Sequence, residues 1–542
     1  MGKGFMIFSK SAASKNTTKT SAFSMRYSVY SLFVLFLVNM LILIDRQMMA
    51  VLSEDIKADL GLSDADIGFI YGTGISIFYA IFSIPLGRLA DVWSRKSLIS
   101  ICVAAWSSMI FLSGTARHFL LFAFFRIGVG VGESGTGPAA MSTIFDHFEP
   151  RLRATAMSVV AAGGPIGAGV GLILGGAILD GWYDLYPDTA LAPFGLKGWQ
   201  VAFFCVAAVG PILAWWVASL KEPVRGQKDG LTSETHPHPF RELWAEMQSV
   251  LPFFSLLTLR RLDGDFRAVK LNVLIGSAII ATSFLLIIAT GSVAQWSALG
   301  GGLWCVVCWA QTLALRDPAT FAMIFKCRSF MFSSIGLALF VFNTVGVAGW
   351  IVPYIIRAHN VSPGEVGMTV GLLTTICGFT GTMVGGVLAD MLGRYTSRAT
   401  IYVCLGSVLL SAPSAVLMVV ADDIAEIYRY LALFLLTSSA CYGVGPMMIN
   451  SLVMPRMRGL ASAVYLIIIT FLGVALGPYT IGFFSDLIAA GGADSGESLR
   501  QGILWGLTSM ILSVIMLLIA TTHLDRDKSS CLDRARALGE SV

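Results

Sequence analysis

The sequence predicts an all-α polytopic membrane protein, and three observations support that prediction: the composition, a series of apolar segments and an internal repeat. Of the 542 residues, 56% are hydrophobic and 13% are charged, whereas a typical soluble domain carries about 25% charged residues. A chain this long and this apolar could not keep a water-exposed surface polar. We therefore exclude soluble globular, disordered, collagen-like and disulfide-scaffold proteins.

Fourteen apolar segments are separated by charged or Gly/Pro-rich breaks. Each is long enough for a membrane-spanning helix, which takes roughly 20 residues. The segments form a group of six, a pair and a second group of six. They lie at residues 29–50, 66–90, 96–115, 117–141, 154–179, 199–219, 272–290, 296–315, 329–356, 365–389, 398–421, 427–452, 458–485 and 500–522.

This grouping divides the chain into five predicted parts. Apolar residues at helical spacing between 240 and 251 also predict an amphipathic helix, lying on the cytoplasmic membrane surface or on the bundle. The parts are a cytoplasmic N-terminal segment (1–28), an N-terminal six-helix bundle (29–221), a central linker (222–328) with the amphipathic helix and an extra transmembrane hairpin (272–315), a C-terminal six-helix bundle (329–522) and a cytoplasmic tail (523–542).

The loop charges predict how the chain is oriented. Lys and Arg concentrate in alternate loops, as at Arg151 and Arg394, whereas Asp predominates in the others, as at Asp184 and Asp422. By the positive-inside rule, this alternation places both termini in the cytoplasm and predicts an integral plasma (inner) membrane protein. The formal net charge of +4 is spread over many loops, so we expect no nucleic-acid partner.

A charged motif occurs twice, with copies 299 residues apart. An Asp at a cytoplasmic helix end can accept a bond from an Arg and face the positive N-terminus of a neighbouring helix. We expect such a clasp to hold one conformation and to break in the other, although a cluster that only fixes topology is the alternative. The copies are Gly87, Asp91 and Arg95 after the second span, and Gly386, Asp390 and Arg394 in the second half.

A second repeated motif is the pair Gly-Pro, which occurs at Gly164-Pro165 and at Gly477-Pro478, 313 residues apart. Gly and Pro thin and kink a helix, so these positions are predicted sites of helix bending, with ordinary Gly-mediated packing as the alternative. Two motifs that are each repeated at a similar distance along the chain indicate a duplicated six-helix unit. Such repeats are typical of transporters, whose substrate site lies at the midplane between the halves.

The repeated charged motif resembles motif A of the major facilitator superfamily, although Val92, Ser94 and Met391 depart from its usual pattern. Residues 163–169 resemble the antiporter-type motif C of the same superfamily. A closer resemblance, to the Spinster-like transporters, covers mainly the first half of the chain. It is carried by residues 43–47, 56–64, 126–133, 153–156 and 198–200.

This resemblance implies a major facilitator fold, with two six-helix bundles related by a pseudo-twofold axis and a hairpin added to the usual twelve helices. It also implies a secondary transporter of lipids that works by alternating access. Sphingosine-1-phosphate and lysophospholipids are the substrates of animal members. We expect a monomer whose ligands are an amphiphilic lipid or small molecule, protons and membrane lipid, with no cofactor and no metal.

Four ionisable residues fall inside predicted spans, where each costs about 2.5–3.5 kcal/mol to insert and so indicates a function. Asp45 and Arg46 lie towards the outer end of span one, Arg126 early in span four and Glu133 near its middle. Because Arg126 and Glu133 are seven residues apart, about two helical turns, they share one helix face and lie about 10 Å apart. Because the resemblance puts spans one and four around the central cavity, it brings Asp45, Arg126 and Glu133 together.

Proton coupling is the leading hypothesis for these charges. Closing the cavity over Asp45 or Glu133 favours the protonated carboxyl, whereas Arg126 opposes that change. Arg126 can instead hold an anionic headgroup, since its planar fork suits phosphate. The alternative is a fixed ion pair joining spans one and four, and Asp45 could also reach outside water. Glycines 128, 130 and 132 are expected to let span one approach.

Polar residues in other spans are candidates for the cavity, although each is equally compatible with a hydrogen bond between helices. No charged pair in the second half matches Arg126 and Glu133, and an asymmetric cavity suits an amphiphile. A proton-coupled sugar-acid or organic-anion symporter and a multidrug/proton antiporter remain alternatives. An enzyme is not expected, because the spans carry no nucleophile–base or metal-ligand constellation. The cavity candidates are Asn39, Asn343, Tyr354 and Asn450.

Overall fold

Fourteen helices of the computed structural model are long and apolar enough to cross a membrane, in the predicted order of six, two and six. The predicted all-α polytopic architecture is therefore confirmed. Residues 1–22, 224–236 and 538–542, which include most of the predicted N-terminal segment, part of the linker and the end of the tail, lie outside the described residues. The structure describes residues 23–188, 191–223, 237–264, 266–454 and 457–537.

The first bundle contains six spanning helices. Ser24 caps the first of them by accepting the N–H of Tyr27, and Gly61 ends it in the left-handed conformation, with φ of 65°. The second contains one wide π-helical turn, Phe69–Gly74. The helices are α1 (Met25–Leu60), α2 (Asp64–Val92), α3 (Arg95–Ser113), α4 (Phe119–His147), α5 (Pro150–Leu185) and α6 (Gly198–Ala218).

The described part of the linker contains five helices before the second bundle begins. The predicted amphipathic helix is present, one residue offset from 240–251, and a second short helix follows it. The hairpin turns at Gly291, whose φ is 73°. The helices are α7 (Pro239–Val250), α8 (Pro252–Asp263), α9 (Arg267–Thr290) and α10 (Val293–Arg316), followed by the short α11 (Pro318–Phe325).

The second bundle repeats the six-helix pattern, and its fifth helix again contains a π-helical turn, Ile469–Val474. An even number of spans separates the start of α1 from the end of the last one, so both lie on one face, here called the terminal face. The opposite face is the distal face. The helices are α12 (Arg328–His359), α13 (Pro363–Gly393), α14 (Ala399–Val420), α15 (Ile424–Asn450), α16 (Arg458–Ala490) and α17 (Ser495–Ser529), followed by the short α18 (Cys531–Ala537).

Helix α1 is longer than predicted, since it continues to Leu60 rather than ending at residue 50. Two acidic residues in this added part of the helix have hydrogen-bond partners. Tyr183 donates to Asp55 over 2.8 Å, and Trp199 donates to Asp59 over 2.9 Å. Asp45 therefore lies near the middle of a long span, where the prediction placed it towards the outer end.

Glycines bring the first and fifth helices of each bundle into close contact. In the first bundle a Cβ on Gly167 or Gly171 would collide with the carbonyl oxygen of Met40 or Ile44, respectively. In the second bundle a Cβ on Gly473 or Gly477 would collide with the carbonyl oxygen of Ala338 or Phe342. The two fifth helices thus correspond with an offset of 306 residues, not the 313 suggested by the Gly-Pro pairs. Gly477 is equivalent to Gly171, two turns beyond Gly164.

The hairpin packs against α2 and α16, at the seam between the two bundles. The Thr73 hydroxyl lies 2.6 Å from Oε1 of Gln295 in the hairpin and 2.8 Å from the carbonyl of Ala475 in the second bundle. A Cβ on Gly302 would lie 2.5 Å from Ile77 and 3.0 Å from Phe471. Helix α10 therefore touches both bundles, while α9 is largely exposed on the outside of α10.

Helix α7 rests on protein at the terminal face. Glu242 accepts a bond from Arg88 of α2 over 3.2 Å, and Glu246 accepts one from Arg316 of the hairpin over 3.4 Å. Side chains of Phe240 and Trp244 are exposed on the same helix. Both predicted positions for this helix, on the bundle and at the membrane surface, are compatible with these contacts.

Candidate functional site

Two ion pairs join α1 to α4 in the middle of the first bundle. Arg126 donates through Nη1 to Oδ1 of Asp45 over 2.9 Å. Arg46 donates to Oε2 of Glu133 through Nε over 3.2 Å and through Nη2 over 2.5 Å. The expected proximity of Asp45 and Arg126 is present, but Glu133 is held by Arg46 rather than by Arg126.

Burial separates these four side chains into two kinds. Asp45, Arg126 and Glu133 are fully buried, whereas the Arg46 side chain is 28% exposed. Oδ2 of Asp45, Oε1 of Glu133, and Nε and Nη2 of Arg126 have no hydrogen-bond partner among the described residues. Each guanidinium lies over an aromatic ring, Arg46 over Tyr79 at 5.4 Å and Arg126 over Phe203 at 5.5 Å.

The Arg46 side chain is partly exposed, and residues next to it on α1 and α2 border the second bundle. Its neighbour Gln47 accepts a hydrogen bond from the Tyr71 hydroxyl of α2. A Cβ on Gly349 of α12 would lie 3.1 Å from the Tyr71 ring, so that ring touches the second bundle. Arg46 therefore lies in the part of the first bundle that borders the second, and it is paired there with a buried carboxylate.

Two details of the predicted site are wrong. Asp45 is completely buried and does not reach outside water. The glycines of α4 do not admit α1, since Gly130 packs on Ile75 of α2 and Gly132 packs on Trp106 of α3. The close approach of α1 instead uses the glycines of α5. Arg46 was recognised from the sequence as an intramembrane charge without a predicted role, although its position next to Asp45 was the available signal.

The four cavity candidates make hydrogen bonds within their own bundles. Asn39 donates to the Val160 carbonyl over 2.9 Å, and Tyr354 donates to the Val419 carbonyl over 3.3 Å. Asn343 donates to Ser509 over 2.6 Å. Ser462 donates to Asn450 over 3.0 Å. These contacts favour the helix-packing alternative over a role in binding.

The bundles are joined at the distal face by a charged cluster around Arg357 of α12. Its guanidinium donates to both carboxylate oxygens of Glu54 over 2.9 and 2.7 Å, and to both of Asp64 over 2.8 and 2.7 Å. Lys57 also donates to Asp64, over 2.5 Å, and the Ser485 hydroxyl does so over 2.7 Å. Because these residues come from both bundles, separating the distal ends requires breaking this cluster.

Two further carboxylates bind the first turns of helices in the opposite bundle. Asp486 of α16 accepts the N–H groups of Asp64 and Ala65 at the start of α2, over 3.0 and 2.7 Å. Asp180 of α5 accepts the Ser362 hydroxyl over 2.8 Å and the Gly364 N–H over 3.0 Å, at the start of α13. A carboxylate there satisfies free N–H groups and favours the positive end of the helix dipole.

The two copies of the charged motif differ in their surroundings. Arg95 is buried and binds Asp146 and Glu222, the latter over 2.9 Å, both in the first bundle or directly after it. Burial raises the pKa of Glu222, but the hydrogen bonds and charge of Arg95 outweigh it, so the pKa is held below its usual range. Asp390 and Arg394 are exposed. The contacts of Arg95 are thus local, and a clasp between the bundles at this motif stays a prediction.

The Gly-Pro positions lie inside continuous helices, with Pro165 within α5. A Cβ on Gly164 would meet nothing within 4 Å. Pro478 accepts the indole N–H of Trp350 over 2.8 Å, and its carbonyl lies against Gly68 of the first bundle. Helix bending at these positions remains a prediction.

The described residues contain no group of three or more metal-ligating side chains.

A family model described as Major Facilitator Superfamily matches residues 35–478. The chain belongs to the major facilitator superfamily. Its members are transporters rather than enzymes, and the paired bundles above are their membrane domain.

Curated relatives include proteins with different substrates. The chain is 26% identical to an MFS-type efflux pump of Mycolicibacterium smegmatis, covering 84% of this chain and 83% of that protein. It is 25% identical to Protein spinster homolog 1 of Xenopus tropicalis, covering 87% and 76%. A sphingosine-1-phosphate transporter of Xenopus tropicalis is 24% identical, covering 90% and 78%. A probable L-galactonate transporter of Escherichia coli is 22% identical, covering 74% and 91%.

A solved structure shares the fold. It is a bacterial homologue of the human lysosomal transporter Spinster, in an inward-facing and unoccupied conformation. The TM-score is 0.66 at 22% identity, and the match covers 94% of this chain and 99% of that one. Curated relatives thus include the Spinster-like transporters that the sequence resembles, and this structure confirms the fold.

Proposed function

We propose that this protein is a proton-linked secondary transporter of a lysolipid or a sphingosine-1-phosphate-like amphiphile. One observation carries the proposal: a fully buried carboxylate, Glu133, is neutralised by an arginine, Arg46, whose side chain is itself 28% exposed. The membership of the superfamily and the relatives named for Spinster and sphingosine-1-phosphate support the substrate class.

Proton coupling follows from competition for Arg46. Protonation of Glu133 at Oε1, the oxygen without a partner, removes the negative charge that Arg46 neutralises. Arg46 is then available for an anionic headgroup, and its planar guanidinium suits phosphate. Protonation of Glu133 and binding of an anion to Arg46 therefore favour each other, as linkage requires. Asp45 and Arg126 form a second, more deeply buried ion pair, in which protonation of the carboxylate can release the arginine in the same way.

Alternating access is supported by the distal contacts. Inter-bundle bonds concentrate at the distal face, around Arg357 and at the two helix starts bound by Asp180 and Asp486. This arrangement is that of a carrier closed at the distal face, which the positive-inside rule assigns to the outside. Opening to the outside then breaks these bonds and closes the terminal face.

The rival substrate is a sugar acid or other small organic anion. Arg46, Gln47 and the Tyr71 hydroxyl form a polar group beside the cleft, and one relative is a probable L-galactonate transporter. The lipid is favoured because the polar candidates of the second bundle, Asn343 and Tyr354, are engaged in helix packing. That leaves a cleft charged on one side only, as an amphiphile requires.

The test is flux of labelled sphingosine-1-phosphate, lysophospholipid and L-galactonate in proteoliposomes under an imposed pH gradient. We expect the gradient to drive flux of a lipid in the wild type, and Glu133→Gln to lose that dependence. The control is Glu242→Gln, which neutralises a carboxylate on α7 at the terminal face and should transport like the wild type. Flux of L-galactonate alone would overturn the lipid assignment. Lipid flux unchanged by pH and by Glu133→Gln would overturn proton coupling.

A further inference from the structure

A pocket of about 700 Å³ lies between the hairpin and the distal ends of both bundles. Its volume falls in the range of small-molecule sites, roughly 300–1,000 Å³. The walls come from the hairpin turn, the starts of α2 and α4, and the distal part of α16. It is separate from the ion pairs of Asp45 and Glu133, neither of which lines it.

Two buried polar groups on the pocket wall lack partners. Gln295, which is 1% exposed, accepts a bond from Thr73 through Oε1, but its Nε2 has no hydrogen-bond partner among the described residues. Tyr479, which is 3% exposed, has a hydroxyl with no partner in the same set. A buried polar group left unpaired costs about 1–3 kcal/mol. Two such groups on one pocket indicate a ligand with hydrogen-bond acceptors.

The charge of the wall specifies the rest of the headgroup. Asp66 and Asp486 line the pocket, and none of the lining residues is Lys or Arg. Both carboxylates already accept bonds from nearby groups, but a carboxylate has about four lone-pair sites and so retains capacity for another donor. A positively charged group is therefore favoured beside them, and an anionic lipid without a cation is disfavoured.

The edge of the pocket is apolar and exposed. Leu120, Val293 and Leu487 line it and are 71%, 60% and 57% exposed, respectively. These side chains lie at the distal ends of membrane-spanning helices, where bilayer lipid covers such a surface. A ligand held here thus has an apolar part that lies in the membrane beside the protein.

We propose that this pocket binds a zwitterionic membrane phospholipid with an ethanolamine headgroup. The ammonium group binds Asp66 and Asp486, the phosphate oxygens accept from Gln295 and Tyr479, and the acyl chains lie over the apolar edge. The site is separate from the transported substrate and does not depend on the proposed transport. Because α2, α16 and the hairpin all contribute, the bound lipid ties the hairpin to the seam between the bundles.

Native mass spectrometry of the full chain in detergent tests the site directly. The protein is titrated with phosphatidylethanolamine or with phosphatidylglycerol, and bound lipid is counted for the wild type, Gln295→Leu and Tyr479→Phe. The matched control is Gln311→Leu. Gln311 is on the same helix, about 24 Å away along its axis, and its Nε2 also lacks a partner among the described residues.

We expect the wild type and Gln311→Leu to retain phosphatidylethanolamine in preference to phosphatidylglycerol. Gln295→Leu and Tyr479→Phe should each lower that retention by about tenfold or more, the loss of one hydrogen bond to a charged group. Tyr479→Phe removes one oxygen only and so keeps the test informative if Gln295→Leu does not fold. Equal binding of both lipids, or equal retention in all four proteins, would overturn the proposal. Neither result bears on flux through the central cleft.

Discussion

The first helices of the two bundles share their packing but not their chemistry. Both α1 and α12 expose a backbone carbonyl to a glycine of the fifth helix, Ile44 to Gly171 and Phe342 to Gly477. The next residue is Asp45 in α1 and Asn343 in α12. The same position therefore carries an ion in one bundle and a neutral amide in the other.

The partners follow this difference. Asp45 is bound by Arg126 of the fourth helix of its bundle, whereas Asn343 donates to Ser509 of the sixth helix of its own. Duplication has preserved the glycines, because any side chain there would collide with backbone. The polar position beside them differs, since it holds an ion-paired carboxylate in the first bundle and a hydrogen-bonded amide in the second.

Removing the polar group at this position should have the largest effect in the first bundle. Asp45→Ala leaves the Arg126 guanidinium buried without its anion, which costs about 3–5 kcal/mol. Asn343→Ala removes neutral hydrogen bonds and should cost about 1–2 kcal/mol. Thermal unfolding of the purified proteins in one detergent should therefore rank wild type above Asn343→Ala and Asn343→Ala above Asp45→Ala.

The double variant Asp45→Ala, Arg126→Leu separates charge from packing. Because it removes both ions, it should recover much of the stability lost in Asp45→Ala. If the double variant is as unstable as the single one, or if Asn343→Ala is the more damaging change, the contrast between the two bundles is not electrostatic.

The fold could be predicted from the sequence because the composition and the spacing of the apolar segments determine it. Fourteen apolar segments, their grouping and the repeated charged motif were all readable in one dimension. The register of the fifth helices was not, since α5 has seven Gly between residues 163 and 176 and the visible Gly-Pro pairs are two turns apart in the structure. Only the carbonyl that each glycine meets distinguishes equivalent positions.

The candidate site was only partly predictable for a similar reason. Spacing placed Arg126 and Glu133 on one face of α4, and the resemblance brought in Asp45. Which cation binds which carboxylate depends on the rotation of α1 against α4, and that rotation comes from the glycines of α5 rather than those of α4. Arg46 thus emerged as the partner of Glu133 only from the coordinates.

The two copies of the charged motif allow a second comparison, in which the expected difference in stability is intermediate. Arg95→Ala leaves Asp146 and Glu222 without the buried guanidinium and should cost about 2–3 kcal/mol. Arg394→Ala changes an exposed side chain and should stay within about 0.5 kcal/mol. Chemical unfolding or detergent thermal stability at neutral pH measures both.

The effect of Arg95→Ala should also depend on pH. Since the folded pKa of Glu222 is lowered, its contribution is present above the usual Glu range and is lost as pH falls through the lowered value. The difference between wild type and Arg95→Ala should therefore shrink in acid. Equal effects of Arg95→Ala and Arg394→Ala at neutral pH would show that the two copies are energetically alike despite their different surroundings.

The distal carboxylates are a charged feature that the two bundles share in both position and contacts. Asp180 and Asp486 are 306 residues apart, the same offset as the close-packing glycines, and each binds the start of the second helix of the opposite bundle. Asp180→Ala and Asp486→Ala should each weaken distal closure by about 1 kcal/mol, roughly a fivefold increase in the distal-open population. The two effects should add, since the carboxylates have no common partner.

Electron spin resonance distances between labels at Asp184 and Asp422, exposed positions on the distal sides of the two bundles, measure that population once the native cysteines are replaced. Phospholipid-free detergent keeps the result independent of the pocket that Asp486 lines. A shift in only one variant would mean that the carboxylate changed in that variant holds the distal face closed. The other carboxylate would then only accept the free N–H groups at a helix start. Equal and additive shifts would mean that both bundles contribute equally to closing the distal face, although the buried polar groups of their first helices differ.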